Sequence, residues 1–137
     1  MCRQSGIIII FCGLVLGCNT KRNPECNLKS YEVIATAYNS VVWQTNSNPN
    51  ITAFGDSLKP GLRYVAVSRD LLDSGLVHNT KLKIEGFDSL FTVKDKMNRR
   101  YKRRIDIYMG IDVKKARQWG KKKVEISYCL QEKDSVN

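Results

Sequence analysis

Asp106 lies in the segment Arg104-Ile105-Asp106-Ile107-Tyr108, a carboxylate inside an apolar strand pattern, where a charge is costly without a purpose. Partial burial on such a strand raises a carboxyl pKa, so the group can give and take a proton near neutrality, which is what general acid–base work requires. The alternation also sets Asp106 on the face opposite Ile105 and Ile107, and the plain alternative is a carboxylate on a solvated face. Of the five cysteines, Cys26 and Cys129 stand near opposite ends of the chain. In an exported protein such a pair is a disulfide candidate, the alternative being two unpaired thiols. His78 is the only histidine and reads as a surface loop residue. No cysteine spacing suits a metal, so neither metal nor cofactor is expected.

The elements that must hold these residues are mostly strands. Tyr31 to Tyr38, Arg63 to Ser68, Lys81 to Glu85, Leu90 to Val93, Ile105 to Met109 and Lys123 to Cys129 are short, rich in Val, Ile and Tyr, and separated by Gly, Asn, Asp and Pro. Six such segments predict a mainly β fold, a small closed barrel. One helix is predicted after Asp112, where Val113, Ala116 and Trp119 recur at helical spacing, Lys114, Lys115 and Arg117 face solvent, and Gly120 suits a left-handed C-terminal position. A second helical turn is predicted over Ser68 to Asp73.

At 137 residues and 42% hydrophobic composition the chain is one globular domain, and disorder is excluded as its main state. Twenty-three Lys+Arg against 13 Asp+Glu give a formal charge of +10, which attracts polyanions without choosing among them. Arg3 followed by the apolar run Ile7 to Leu16 reads as a secretory signal, too short for a membrane span of about 20 residues. Its ending, Val15-Leu16-Gly17-Cys18, resembles a bacterial lipobox. That resemblance implies acylation of Cys18 and a membrane partner held through the lipid, in the bacterial cell envelope. The expected organisation is a signal over 1–17, a polar tether over 18–30, the domain over 31–130 and a tail over 131–137.

The order of motifs is also specific. Ala35-Thr36-Ala37-Tyr38, Thr52-Ala53-Phe54-Gly55, Val65-Ala66-Val67, Lys81-Leu82-Lys83-Ile84-Glu85-Gly86, Val93-Lys94-Asp95, Arg104-Ile105-Asp106-Ile107-Tyr108, Ala116-Arg117-Gln118-Trp119-Gly120 and Val124-Glu125-Ile126 follow one another along the chain. In this order they resemble the three-aspartate (3D) domain, over about Glu32 to Ser127. The resemblance implies a small six-stranded double-psi β-barrel with one or two short helices, like the catalytic barrel of membrane-bound lytic transglycosylase A, and peptidoglycan as the partner.

Carried over singly, the family's second aspartate falls on Asp95 and its third on Asp106. The first falls on Ser68, with Asp70 two residues on as a partial replacement, and the family's Thr-Gly-Gly after the second aspartate is Lys96-Met97-Asn98 here. The resemblance implies lytic transglycosylase chemistry with Asp106 as acid/base and Asp95 as its neighbour. Tyr38 and Thr52 would line the groove, the alternative for Tyr38 being a core residue, while the basic segments, Lys96 and Arg99 among them, would hold the acidic groups of the wall or form a plain solvated face. Arg99 to Arg104 places five positive charges around Tyr101. A non-catalytic peptidoglycan-binding barrel is the competing reading. Nucleic acid is not an expected partner, because an export signal and the lack of a nucleic-acid motif speak against it.

Overall fold

The computed structural model describes residues 26–41 and 48–130. Six strands and two short helices follow in the order β1 (Asn27–Tyr38), β2 (Tyr64–Val67), α1 (Arg69–Asp73), β3 (Lys81–Ile84), β4 (Phe91–Lys96), β5 (Arg104–Tyr108), α2 (Val113–Trp119) and β6 (Lys122–Leu130). The strands close into a barrel in the order β1-β5-β2-β4-β3-β6. Two parallel pairs, β1 with β5 and β2 with β4, are joined by antiparallel pairings. This is the mainly β, six-stranded double-psi barrel with two short helices expected above.

The core follows from the two-residue period of the strands. Val33 and Ala35 of β1, Val65 and Val67 of β2, Leu82 and Ile84 of β3, Val93 of β4, Ile105 and Ile107 of β5, and Val124 and Ile126 of β6 all point inward. Leu71 of α1 and Leu76 after it close one end. In α2 no residue is fully buried; the Asp112 side chain accepts a hydrogen bond from the Lys115 N–H, and Gly120 ends the helix at φ 66°. The Trp119 ring packs at 5.0 Å from Phe87, with the Lys122 ammonium 3.7 Å above it.

The first strand starts at Asn27, four residues before the expected boundary at Tyr31, so Asn27 to Ser30 are barrel and not tether. Apart from the exposed Leu28 they are polar, as suits the exposed end of β1, and they are strand because they pair with Ser127 to Leu130 of β6. A disulfide between Cys26 and Cys129, with Cα atoms 5.3 Å apart, fastens that end. Cys18, the 1–17 signal and the 131–137 tail lie outside the described residues. Among the described residues no helix is long and apolar enough to cross a membrane.

Candidate functional site

With Ile105 and Ile107 in the core, Arg104, Asp106 and Tyr108 project from the other face of β5. Across the sheet Asp106 is in register with Thr36 of β1 on one side and Ala66 of β2 on the other. Ala66 is in turn in register with Asp95 of β4. The row Thr36, Asp106, Ala66, Asp95 therefore crosses four neighbouring strands. Strands lie about 4.8 Å apart, so the two aspartate backbones are about 10 Å apart with only a methyl group between them.

A bulge makes this row. Val65 pairs with Val93, but the next residue, Ala66, pairs with Asp95, so Lys94 is the extra residue on β4. In a regular strand Asp95 would share the inward face of Val93. The bulge re-aims it beside Ala66, the usual effect of one inserted residue.

The two carboxyls have different surroundings. Asp106 Oδ1 accepts the Thr36 hydroxyl at 2.8 Å. Burial pushes its pKa up to about 6, with the Asp95 charge adding to the rise while the Thr36 hydrogen bond and Arg104 pull against it. Asp95 is also raised by burial, against the backbone N–H groups of Ala53 and Lys96, which both donate to its Oδ1 at 2.8 Å. Tyr38 stands beside both. Burial first, then the charges of Asp95 and Asp106, hold its phenol far above its ordinary range, so it is a neutral hydroxyl at any working pH. That hydroxyl is buried and finds no hydrogen-bond partner among the described residues, and the ring lies 5.4 Å from Tyr108. Tyr38 thus lies next to the two aspartates, with its ring packed on Tyr108. Two carboxyls with raised pKa values, one near 6, form an arrangement able to donate and recover a proton near neutrality.

Thr52 plays another part than the expected one. Its hydroxyl accepts the Asp56 N–H at 3.0 Å and its own N–H donates to the Asp56 carbonyl at 2.9 Å, so it shapes a tight loop. The loop presents the Ala53 N–H to Asp95. Asp56 fastens the same loop to the barrel, accepting from Lys94 Nζ at 2.8 Å and lying 2.6 Å from His78 Nε2. The Lys94 hydrogen bond holds Asp56 below the usual carboxylate range. His78 is thus not a plain surface residue: it is half-buried, stacks on Phe54 at 4.7 Å and ties the loop down. No neighbouring motif signals this role, because His78 and Asp56 are 22 residues apart.

Lys96 touches the site through its backbone and holds its ammonium 5.0 Å over Phe54. Arg99 does not join it. It is exposed and lines a separate shallow hollow with Arg69, Leu72, Asp73 and Lys102, because the 98–103 turn carries it away from the row. Another hollow, of about 260 Å³ and lined by Arg63, Phe87, Phe91, Tyr108 and Lys115 among others, has no carboxylate in its lining.

At Ser68, where the resemblance to the three-aspartate domain expects an aspartate, the side chain serves the backbone. Ser68 is fully buried and its hydroxyl accepts the Arg104 N–H at 3.1 Å, while the Ser68 N–H donates to the Arg104 carbonyl at 2.9 Å. Asp70 does not replace it in the row. Its carboxylate accepts the Arg103 N–H at 2.9 Å and holds the turn before β5. Burial raises the Asp70 pKa, but hydrogen bonds from Ser68 and the Arg103 N–H outweigh it, so the group stays below the usual range.

Among the described residues no group of three His, Cys, Asp or Glu is placed to hold a metal ion. No protein-family model matches the chain, and no curated protein matches it. Among solved structures it is similar to an expansin from Clavibacter michiganensis without ligand, at 19% identity and a TM-score of 0.46, covering 80% of this chain and 53% of that one. A mutant of the Clavibacter michiganensis expansin, solved in complex with cellohexaose, gives 19% identity and a TM-score of 0.45 over the same shares of the two chains. This chain therefore spans about half the length of the structures it matches.

Proposed function

We propose that the protein is a peptidoglycan-binding barrel of the bacterial cell envelope, with the glycan strand lying across Thr36, Asp106, Ala66 and Asp95. The observation that carries this reading is the row itself: two half-buried carboxyls flank the small Ala66, the Thr36 hydroxyl stands beyond Asp106, and the Tyr38 hydroxyl is unpartnered beside them. Such a surface offers sugar hydroxyls both donors and acceptors. The choice of peptidoglycan is supported by the resemblance of the motif order to the three-aspartate domain and by the excess of positive charge. Anchoring through an acylated Cys18 belongs to the same reading.

A second reading, cleavage of the glycan strand, is favoured by one observation, the Asp106 pKa near 6. In lytic transglycosylase chemistry one acid protonates the leaving glycosidic oxygen. As a base it then removes the proton of the C6 hydroxyl of the same muramic acid, whose oxygen closes onto C1 to leave a 1,6-anhydro end. One carboxyl serves both steps, so no second carboxylate is needed as nucleophile or water activator, unlike the hydrolases. Asp106 would move the proton and Asp95 would tune its pKa.

The two readings separate in one experiment: purified sacculi are incubated with the full chain, pelleted, and the soluble muropeptides analysed by mass spectrometry. Binding without anhydro-muropeptides at any pH supports the binding barrel. Release of anhydro-muropeptides supports cleavage, and failure to co-sediment removes peptidoglycan as the partner.

A further inference from the structure

Arg104 projects from the same face of β5 as Asp106, two residues and hence about 7 Å along the strand. Asp106 already has a partner in Thr36 at 2.8 Å. Arg104 lacks one: its Nε–H is buried and meets no acceptor among the described residues. A buried cationic donor left without an acceptor is costly, and native proteins leave few of them. The guanidinium lies instead 4.6 Å from the centroid of the Tyr101 ring.

The surroundings hold this side chain in place. The Arg104 backbone is bound on both sides by Ser68, at 3.1 and 2.9 Å. Tyr101 is fixed by its N–H to the Asn98 carbonyl at 3.0 Å and by an Arg100 guanidinium N–H donating to its hydroxyl at 2.8 Å. The preceding residue, Arg103, takes a left-handed backbone at φ 45°, held by Asp70. A non-glycine residue in that conformation persists only where its surroundings over-determine it. The result is a fixed guanidinium beside the acid–base row, with Arg100 as a second cation next to it.

We propose that Arg104, supported by Tyr101 and Arg100, recognises a carboxylate-bearing substituent of the bound polysaccharide, so that the groove selects acidic glycans over neutral ones. The proposal rests on the groove being a glycan site. Arginine suits the task, because its planar fork meets a carboxylate with two parallel hydrogen bonds and stacks on an aromatic ring at the same time. Asp106 does not serve as the acceptor: its Oδ1 takes the Thr36 hydroxyl, and the Arg104 Nε–H stays unpartnered among the described residues. A substituent carboxylate on the neighbouring sugar would satisfy the buried Nε–H and leave Asp106 to hold its proton.

The test measures binding of the full chain to three probes: native sacculi, the same sacculi with their carboxyl groups reduced to alcohols, and chitin as a neutral glycan. The wild type is expected to bind native sacculi about tenfold or more tightly than either neutral probe, the size of one charge-assisted hydrogen bond. Arg104→Gln is expected to weaken binding to native sacculi by the same factor while leaving the reduced sacculi unchanged. Arg104→Lys, which keeps the charge and loses the fork, should recover part of the difference, and Tyr101→Leu, which leaves the Ser68 ties intact, should move in the same direction as Arg104→Gln. Equal wild-type binding to native and reduced sacculi overturns the proposal, as does an Arg104→Gln protein that weakens on both alike. No binding to any of the three glycans overturns the glycan groove itself, and this proposal with it.

Discussion

Asp95 and Asp106 reach the same residue from opposite sides: both are in register with Ala66, Asp95 from the parallel strand β4 and Asp106 from the antiparallel strand β5. Only a methyl group stands between the two side chains, and the Asp95 charge adds to the rise of the Asp106 pKa.

The first consequence is for stability. The folded protein holds the Asp106 proton to about pH 6, against 3.8 for an ordinary aspartate. Because the folded-state pKa is the higher one, the stabilising contribution is fully present below about pH 4 and is lost as pH rises through about 6. Above that point ionised Asp106 costs the fold up to about 3 kcal/mol. Asp106→Asn cannot ionise, so urea unfolding should find it more stable than wild type by up to that amount at pH 7.5, with little difference at pH 4. Equal stabilities at both pH values would show that Asp106 is solvated.

If the barrel cleaves glycan, Asp106→Asn should lower anhydro-muropeptide release by about 10²–10⁴-fold while sacculus binding is retained. Asp95→Asn should lower it less. The Asp95 charge is one of the causes raising the Asp106 pKa, so its removal lets Asp106 ionise earlier. The alkaline fall of the pH–rate profile should therefore move to lower pH. Cleavage untouched by Asp106→Asn would place the chemistry on another residue.

Ser68→Ala is expected to destabilise the fold by about 1–3 kcal/mol, because it leaves the Arg104 N–H without its acceptor. Thermal unfolding measures this directly. A loss near zero would mean that water reaches the Arg104 amide.

Opening the Cys26–Cys129 bridge, by reduction or by Cys129→Ser, removes a cross-link over a sequence separation of 103 residues. The expected loss is about 2–5 kcal/mol, read as a lower urea midpoint. An unchanged midpoint after complete reduction would show that β1 and β6 need no covalent tie.

For Cys18, the expected outcome of Cys18→Ala is an unprocessed precursor or a protein released from the membrane into the soluble fraction. A variant that matures and partitions like wild type would remove the lipid anchor.

The sequence disclosed the strands well where burial is one-sided. Ile105 and Ile107 flanking Asp106, or Leu82 and Ile84 alternating with Lys81 and Lys83, print the two-residue period directly on the chain. It disclosed the helix equally well, since Asp112 and Gly120 carry their capping chemistry in their own side chains or lack of one. The polar start of β1 was hidden, because its strand character comes from β6, which is distant in sequence. The aspartate pair was legible as two candidates but not as a row, because the bulge at Lys94 has no signature in residue types. Thr52, His78 and Asp56 were misread or missed for a similar reason. A hydroxyl or imidazole that ties a loop to a barrel looks the same in sequence as one that faces solvent.

The pairing of β1 with β6 also constrains how the molecule can form. Asn27 and Leu130, at nearly opposite ends of the described chain, are neighbours in the sheet. The barrel cannot close before its last strand has been synthesised, and contacts of such long range form slowly. A nascent chain therefore exposes an unpaired β1 edge until β6 has been synthesised, and would need a holding partner, or speed, to avoid pairing with another copy of itself.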